Sequence, residues 1–365
     1  MEIKTFKGMK CRRLGGSGLW VSEVGLGMWK WGVPGYDRSR VNDHEGFKIL
    51  DRALELGIFH WDNANSYNWG SGNSERLLGR YFNSRPSSVR DMVVLATKIT
   101  NSVRNEHEME RDFSPNERGS SRKYIIQAVD GCLERLRTDR IDILYLHSPT
   151  LMEDGSWETP LDETWAAMDA LIQQGKVCYL AVSNRSSSRL EEEVNALKKV
   201  ASNSSHRIIA VQNRYNLAER VKVSSSSQEP AEAAEKSFLD YIGKQKIGLI
   251  PYYPLAAGLL TGRYRIGNFD ETGRIVQDGE SSKKEFLTER NLELVEKLNA
   301  LAGRKGASPA QLAIAWLLTR EAVSSVIAGV TRIEHLEDNA KASSVSFTEE
   351  ELQEIDRISS TASGG

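Results

Sequence analysis

Residues Phe59-His60-Trp61-Asp62-Asn63-Ala64-Asn65-Ser66-Tyr67 decide how this chain folds. An apolar-rich, strand-like run leads into Asp62, and Tyr67 follows five positions later. Two other short runs end in a similar way. Val93-Val94-Leu95-Ala96-Thr97-Lys98 delivers a lysine, and Ile143-Leu144-Tyr145-Leu146-His147 delivers a histidine. If these runs are neighbouring parallel strands, an acid, a phenol, an amine and an imidazole converge on one rim.

The same pattern extends along the chain. Strand-like runs at 24–28, 58–61, 93–97, 142–146, 177–182, 208–211, 247–251 and 325–328 alternate with segments of helical period. Residues 43–56 place Phe47, Leu50, Ala53 and Leu54 on one face, and 122–136 do the same with Ile125, Val129, Cys132, Leu133 and Leu136. Ser308-Pro309-Ala310-Gln311 combines an N-cap, a first-turn proline and a glutamine at the third position. Thr331-Arg332-Ile333-Glu334 reads as a capping box.

Eight alternations with continuously apolar strands predict an α/β fold, a parallel sheet closed into a (β/α)8 TIM barrel. Residues 10–14 and 20–22 flank a glycine-rich turn and predict an N-terminal β-hairpin across the barrel bottom. The connections 100–121, 148–160 and 262–284 are long enough to be working loops at the C-terminal face. The serine run at 224–227 reads as a loop insertion within one domain spanning 1–365, with 361–365 as a flexible tail.

Composition narrows the function classes. The chain has 365 residues, with 48 Lys+Arg against 50 Asp+Glu and no long basic block, so a nucleic-acid partner is not expected. Cys11, Cys132 and Cys178 lack the spacing of a disulfide framework or metal site. The first residues contain no apolar signal core, and the most apolar stretch, 247–260, is too short to span a bilayer. A cytoplasmic location is the simplest expectation, with a trimmed organelle precursor as the alternative.

At the C-terminal ends of barrel strands, Lys98 and Asp62 are expected to meet as an ion pair on adjacent strands. Lys98 beside Tyr67 is expected to favour the phenolate and lower the tyrosine pKa. Such a tyrosine can protonate a carbonyl oxygen as it becomes an alkoxide, with His147 polarising the same carbonyl. Each residue also has an ordinary explanation: a turn-forming Asp, a half-buried Tyr, a solvated Lys and a structural His. Their conjunction at consecutive strand ends makes four independent accidents a poor account.

These residues, with Gly25-Leu26-Gly27-Met28-Trp29, Gly72-Asn73-Ser74-Glu75-Arg76, Gln174-Gly175-Lys176-Val177, Val182-Ser183-Asn184, Gln212-Asn213-Arg214-Tyr215-Asn216 and Tyr253-Pro254-Leu255, resemble the aldo-keto reductase superfamily over nearly the whole chain. Pro115-Asn116-Glu117-Arg118-Gly119 is similar to the branch containing aryl-alcohol dehydrogenases and potassium-channel β subunits.

The resemblance implies NADPH, with NADH less favoured, bound without a Rossmann domain; no G-x-G-x-x-G motif follows a strand. It assigns Tyr67 as acid, Lys98 and Asp62 as its tuning pair, and His147 as the substrate-positioning group. Ser183, Asn184 and Gln212 are implied to hydrogen-bond the nicotinamide carboxamide, while Tyr252 stacks on its ring and Leu255 and Gly329 add cofactor contacts. Thr331 and Arg332 are implied to hold the adenosine 2′-phosphate at a helix N-terminus. His335 is a departure at a cofactor-selecting position, and Asp338 and Asn339 match adenine-contacting positions. Asn63, Ala181 and Arg214 are other departures, and none removes a catalytic group.

Trp29, Trp31 and Trp69, with Tyr36 and Asn68, are expected to wall the substrate site. Packing of Trp29 and Trp31 under the next loop is the competing explanation. The leading expectation is NADPH-dependent reduction of a small-molecule carbonyl, without metal and without a membrane partner. A cofactor-sensing regulatory subunit with vestigial turnover is the main alternative. A barrel aldolase or hydrolase has only Lys98 in its favour, and monomer and homo-oligomer stay open.

Overall fold

The computed structural model describes residues 2–104, 112–220 and 231–360. Three antiparallel strands come first: β1 (Ile3–Phe6), β2 (Met9–Arg13) and β3 (Trp20–Ser22), in the order β1-β2-β3. The hairpin β2–β3 is where the sequence placed it. The outer strand β1 was not anticipated, because its residues are mostly exposed and show no apolar alternation. Gly15 in the turn has φ +55°, and a Cβ there would fall 2.5 Å from the Lys246 carbonyl oxygen. Only glycine lets the hairpin approach the barrel floor this closely.

The barrel strands are β4 (Val24–Gly27), β5 (His60–Asp62), β6 (Val94–Ile99), β7 (Ile141–Leu146), β8 (Val177–Ser183), β9 (Ile208–Gln212), β10 (Gly248–Leu249) and, after a two-stranded excursion β11 (Tyr264–Arg265) and β12 (Asn268–Phe269), β13 (Val326–Gly329). All eight run parallel in the order β10-β9-β8-β7-β6-β5-β4-β13. Closure comes from the Leu249–Val323 bridge and from the Ile327 amide, which donates to Pro251 O at 3.0 Å. The result is a (β/α)8 barrel with helices outside.

Strand alternation explains what reaches the rim. On β6, Val94 and Ala96 join the smaller buried cluster while Leu95 and Ile99 join the larger one that packs under the helices. On β7, Ile143 and Tyr145 divide from Leu144 and Leu146 in the same way. With a period of two, Lys98 and His147 continue the inner rows beyond the apolar filling.

The predicted helices form at Asp43–Glu55, capped by the Asn42 side chain, and at Arg122–Leu136, capped by Ser121. Ser308 and Gln311 make the predicted capping box on Pro309–Leu318. The Thr331 box does not form. The helix is Ile333–Lys341, its N-cap is Arg332, and no side chain caps it. Arg332 is itself extended, so the turn starts one residue later than the sequence pattern suggested. The 262–284 connection contains β11–β12 and the helix Arg274–Gln277, and it runs into the helix Glu280–Phe286. Residues 224–227 and 361–365 lie outside the described residues. Among the described residues, no helix is long and apolar enough to cross a membrane.

Candidate active site

Asp62 ends β5, and the chain beyond it is strapped to β6: the Asn63 amide donates to Ala96 O at 2.9 Å and the Asn65 amide to Lys98 O at 3.0 Å. This brings Tyr67 back over the strand ends. Its turn continues through left-handed Asn68 and Trp69, held by Asn68 Nδ2 donating to Trp31 O at 2.6 Å. The Tyr67 hydroxyl donates to Asp62 Oδ2 at 3.0 Å. Lys98 Nζ spends its three donors on Asp62 Oδ2 (2.6 Å), Asn63 O (2.8 Å) and Tyr67 Oη (2.8 Å). Gln212 Nε2 donates to the other carboxylate oxygen, Oδ1, at 2.8 Å. Lys98 and Asp62 are each only 1% exposed, so the pair depends on this full set of partners.

The electrostatics correct one expectation. Lys98 does not pull the Tyr67 pKa down: burial, followed by the Asp62 charge, pushes it well above 10. Desolvation penalises the phenolate, and the carboxylate at 3.0 Å opposes the ammonium at 2.8 Å. Burial also lowers the Lys98 pKa, against the pull of Asp62. Tyr67 is therefore held as a protonated donor. Burial together with the Lys98 charge drops His147 to about 3, so its imidazole is neutral, and its Nδ1 has no hydrogen-bond partner among the described residues. The Tyr67 and His147 rings meet edge to face at 6.1 Å.

These groups open into a cleft of about 640 Å³. Asp62, Tyr67 and His147 line it, and Lys98 sits beneath them. Ser183, Asn184, Gln212, Tyr252 and Leu255 line one stretch, and Gly329, Thr331, His335, Asp338 and Asn339 another. Asn184 has φ +61°, donates to His147 O at 2.9 Å and accepts from the Tyr252 hydroxyl at 2.7 Å. Asp338 already accepts from Ser308 Oγ and Gln311 Nε2, both at 2.6 Å. Burial, Arg263 and Arg332 lower the His335 pKa.

Five predicted residues stand apart from the cleft: Tyr36 and Asn68 do not line it, and neither do Trp31, Trp69 and Arg332. Trp31 is fully buried, with its indole N–H donating to Val330 O at 2.8 Å, so it ties the first and last rim loops together. Trp69 is 68% exposed under the Arg38 guanidinium, because its left-handed backbone turns it outward. Arg332 is exposed at the helix start. Trp29 does line the cleft. Sequence reasoning missed the cationic lining of Lys30, Arg40, Arg263 and Arg274. The long 262–284 connection was the available signal, but it did not reveal which arginines turn inward.

A barrel rim bearing a buried Asp–Lys pair under a protonated tyrosine and a neutral histidine defines a carbonyl oxidoreductase of the barrel class. Residues 23–360 match the Aldo/keto reductase family, and the chain belongs to it. It is 32% identical to the L-glyceraldehyde 3-phosphate reductase of Escherichia coli O157:H7 over 358 residues, covering 96% of this chain and 92% of that protein. Similarity extends to a probable voltage-gated potassium channel subunit beta of Oryza sativa subsp. japonica, 31% identical over 92% of this chain and 91% of that one. The versiconal hemiacetal acetate reductase of Aspergillus parasiticus is 28% identical over 95% and 96%. The protein is an NAD(P)H-dependent aldo-keto reductase.

Proposed function

We propose that the chain reduces aldehydes or ketones with NADPH, using Tyr67 as the general acid. The observation that carries this reading is the Tyr67–Lys98–Asp62 cluster, in which a protonated phenol is held at the cleft floor with a buried ammonium 2.8 Å from its oxygen. When bound, the nicotinamide supplies the hydride. Tyr67 gives its proton to the carbonyl oxygen, and the ammonium of Lys98 stabilises the phenolate left behind. Asp62 keeps that ammonium in place. His147, neutral at physiological pH, offers a hydrogen bond to the same oxygen without competing as the acid.

The cofactor fits the residues present. Ser183, Asn184 and Gln212 supply amide and hydroxyl partners for a carboxamide, and Tyr252 supplies a ring face. The Ile333–Lys341 helix starts without a side-chain cap, leaving first-turn N–H groups for a phosphate. Thr331 lies in the lining at that point, and Arg263 and Arg332 both act on His335, giving the region a positive field suited to a 2′-phosphate.

The test is Tyr67→Phe. Its kcat with an aldehyde should drop by about 10²–10⁴-fold, with the Kd for NADPH little changed. Equal turnover by the two proteins removes Tyr67 from the mechanism. The likeness to a channel β subunit supports a second reading, a nucleotide-sensing subunit. Tight NADPH binding with negligible turnover on any carbonyl would favour it.

A further inference from the structure

We infer that the carbonyl substrate carries an anionic tail, a phosphate or a carboxylate, and that Lys30 and Arg40 hold it at the mouth of the cleft. This rests on the carbonyl-reductase reading above. The backbone sets the two cations side by side: the amides of Arg40 and Val41 both donate to Lys30 O, at 2.7 and 3.1 Å, and Trp31 bridges Val41. Both side chains line the cleft.

Lys30 Nζ lies 4.8 Å from the Trp29 ring, and the Arg274 guanidinium lies 4.3 Å from the same ring. Arg274 is matched by Asp278 at 3.0 Å. Neither Lys30 nor Arg40 pairs with a carboxylate among the described residues, although Asp278 acts on Lys30 at longer range. Burial and the charges of Arg274, Arg40 and Arg38 lower the Lys30 pKa. Lys30 is partly buried and Arg40 is exposed beside it; crowding cations around a partly buried ammonium costs stability, and a bound anion removes that cost.

These cations are separate from those at the far end of the cleft. Arg263 and Arg332 are the cations that lower the His335 pKa, and Arg274, Arg40 and Arg38 those that lower the Lys30 pKa. The helix start therefore has its own positive field, and Lys30 and Arg40 stand with Trp29 on the loop that follows β4 and adjoins the Asp62 strand end.

The experiment compares glyceraldehyde 3-phosphate with glyceraldehyde, and succinic semialdehyde with butanal, at saturating NADPH. It uses the wild type, Lys30→Met, Arg40→Ala and the double variant, with the Kd for NADPH measured for each. The wild type should prefer at least one charged aldehyde over its neutral partner by about tenfold or more in kcat/KM, and the pair that responds identifies phosphate or carboxylate. That discrimination should fall by about tenfold in the double variant and weaken with salt. A wild type indifferent to charge overturns the inference. So does a rise in the NADPH Kd with discrimination intact, which would assign the cations to the cofactor. Failure to reduce any of the four aldehydes would instead bring down the reductase reading itself.

Discussion

Replacing Lys98 with methionine tests the energetic logic of the site. Methionine keeps the length and removes the charge, so all three N–H donors are lost and Asp62 becomes a buried carboxylate without a counter-ion. Breaking a buried pair this way costs about 3–5 kcal/mol. Asp62 still accepts from Tyr67 and Gln212, at 3.0 and 2.8 Å, which places the expected loss near the lower end, about 3 kcal/mol. The double variant Lys98→Met with Asp62→Asn no longer buries an unpaired charge and should recover about 1–2 kcal/mol over Lys98→Met alone. Urea unfolding at pH 7.5 measures both. Turnover behaves differently: each variant should lose about 10²–10⁴-fold in kcat, and the double variant should regain none of it. If the double variant is less stable than Lys98→Met, or if Lys98→Met keeps wild-type turnover, the proposed division of labour between Lys98 and Asp62 is wrong.

Acid sensitivity should come from two buried histidines. The His60 pKa is depressed to about 4 and that of His147 to about 3, so both bind protons more weakly in the folded chain than in the unfolded one. Their contribution to stability is complete above pH 6.5 and is lost as pH falls toward 4 and 3; at pH 5 each accounts for about 2 kcal/mol. His60→Gln should remove about half of the pH 8 to pH 5 loss seen in urea titrations, and identical slopes would contradict this. Gly79→Ala should destabilise by roughly 1–3 kcal/mol in thermal melts, because its Cβ would collide with the Arg135 carbonyl oxygen of the neighbouring helix. Arg263→Ala should weaken NADPH binding more than NADH binding in fluorescence titrations, and equal weakening would detach it from the 2′-phosphate.

The barrel was legible because parallel strands covered on both faces leave runs of apolar residues that sequence shows directly. Asp62, Lys98 and His147 could be placed because strand alternation continues past the apolar rows. The sign of the Tyr67 shift was not legible. It depends on whether desolvation outweighs a nearby ammonium, and only the depth of the site settles that. Trp31 and Trp69 read alike as aromatic residues near strand ends, yet a left-handed turn sends one to solvent while an indole hydrogen bond locks the other inside. Lys30 and Arg40 gave no signal in the sequence, since their adjacency comes from a loop folding back on one carbonyl oxygen. Strand β1 lacked any pattern, because an exposed edge requires none.

The pairing of β4 with β13 sets Val24 against Val326. During synthesis on the ribosome, one edge of the sheet stays without its neighbour until nearly the whole barrel has emerged. A row of unmatched amides and carbonyls, flanked by apolar side chains, is then exposed for the time needed to add about 300 residues, tens of seconds at ordinary elongation rates. The last strand to be made is thus the one that seals the first. Truncation before Val326 should yield an aggregating chain that chaperones retain, and should not yield a smaller working barrel.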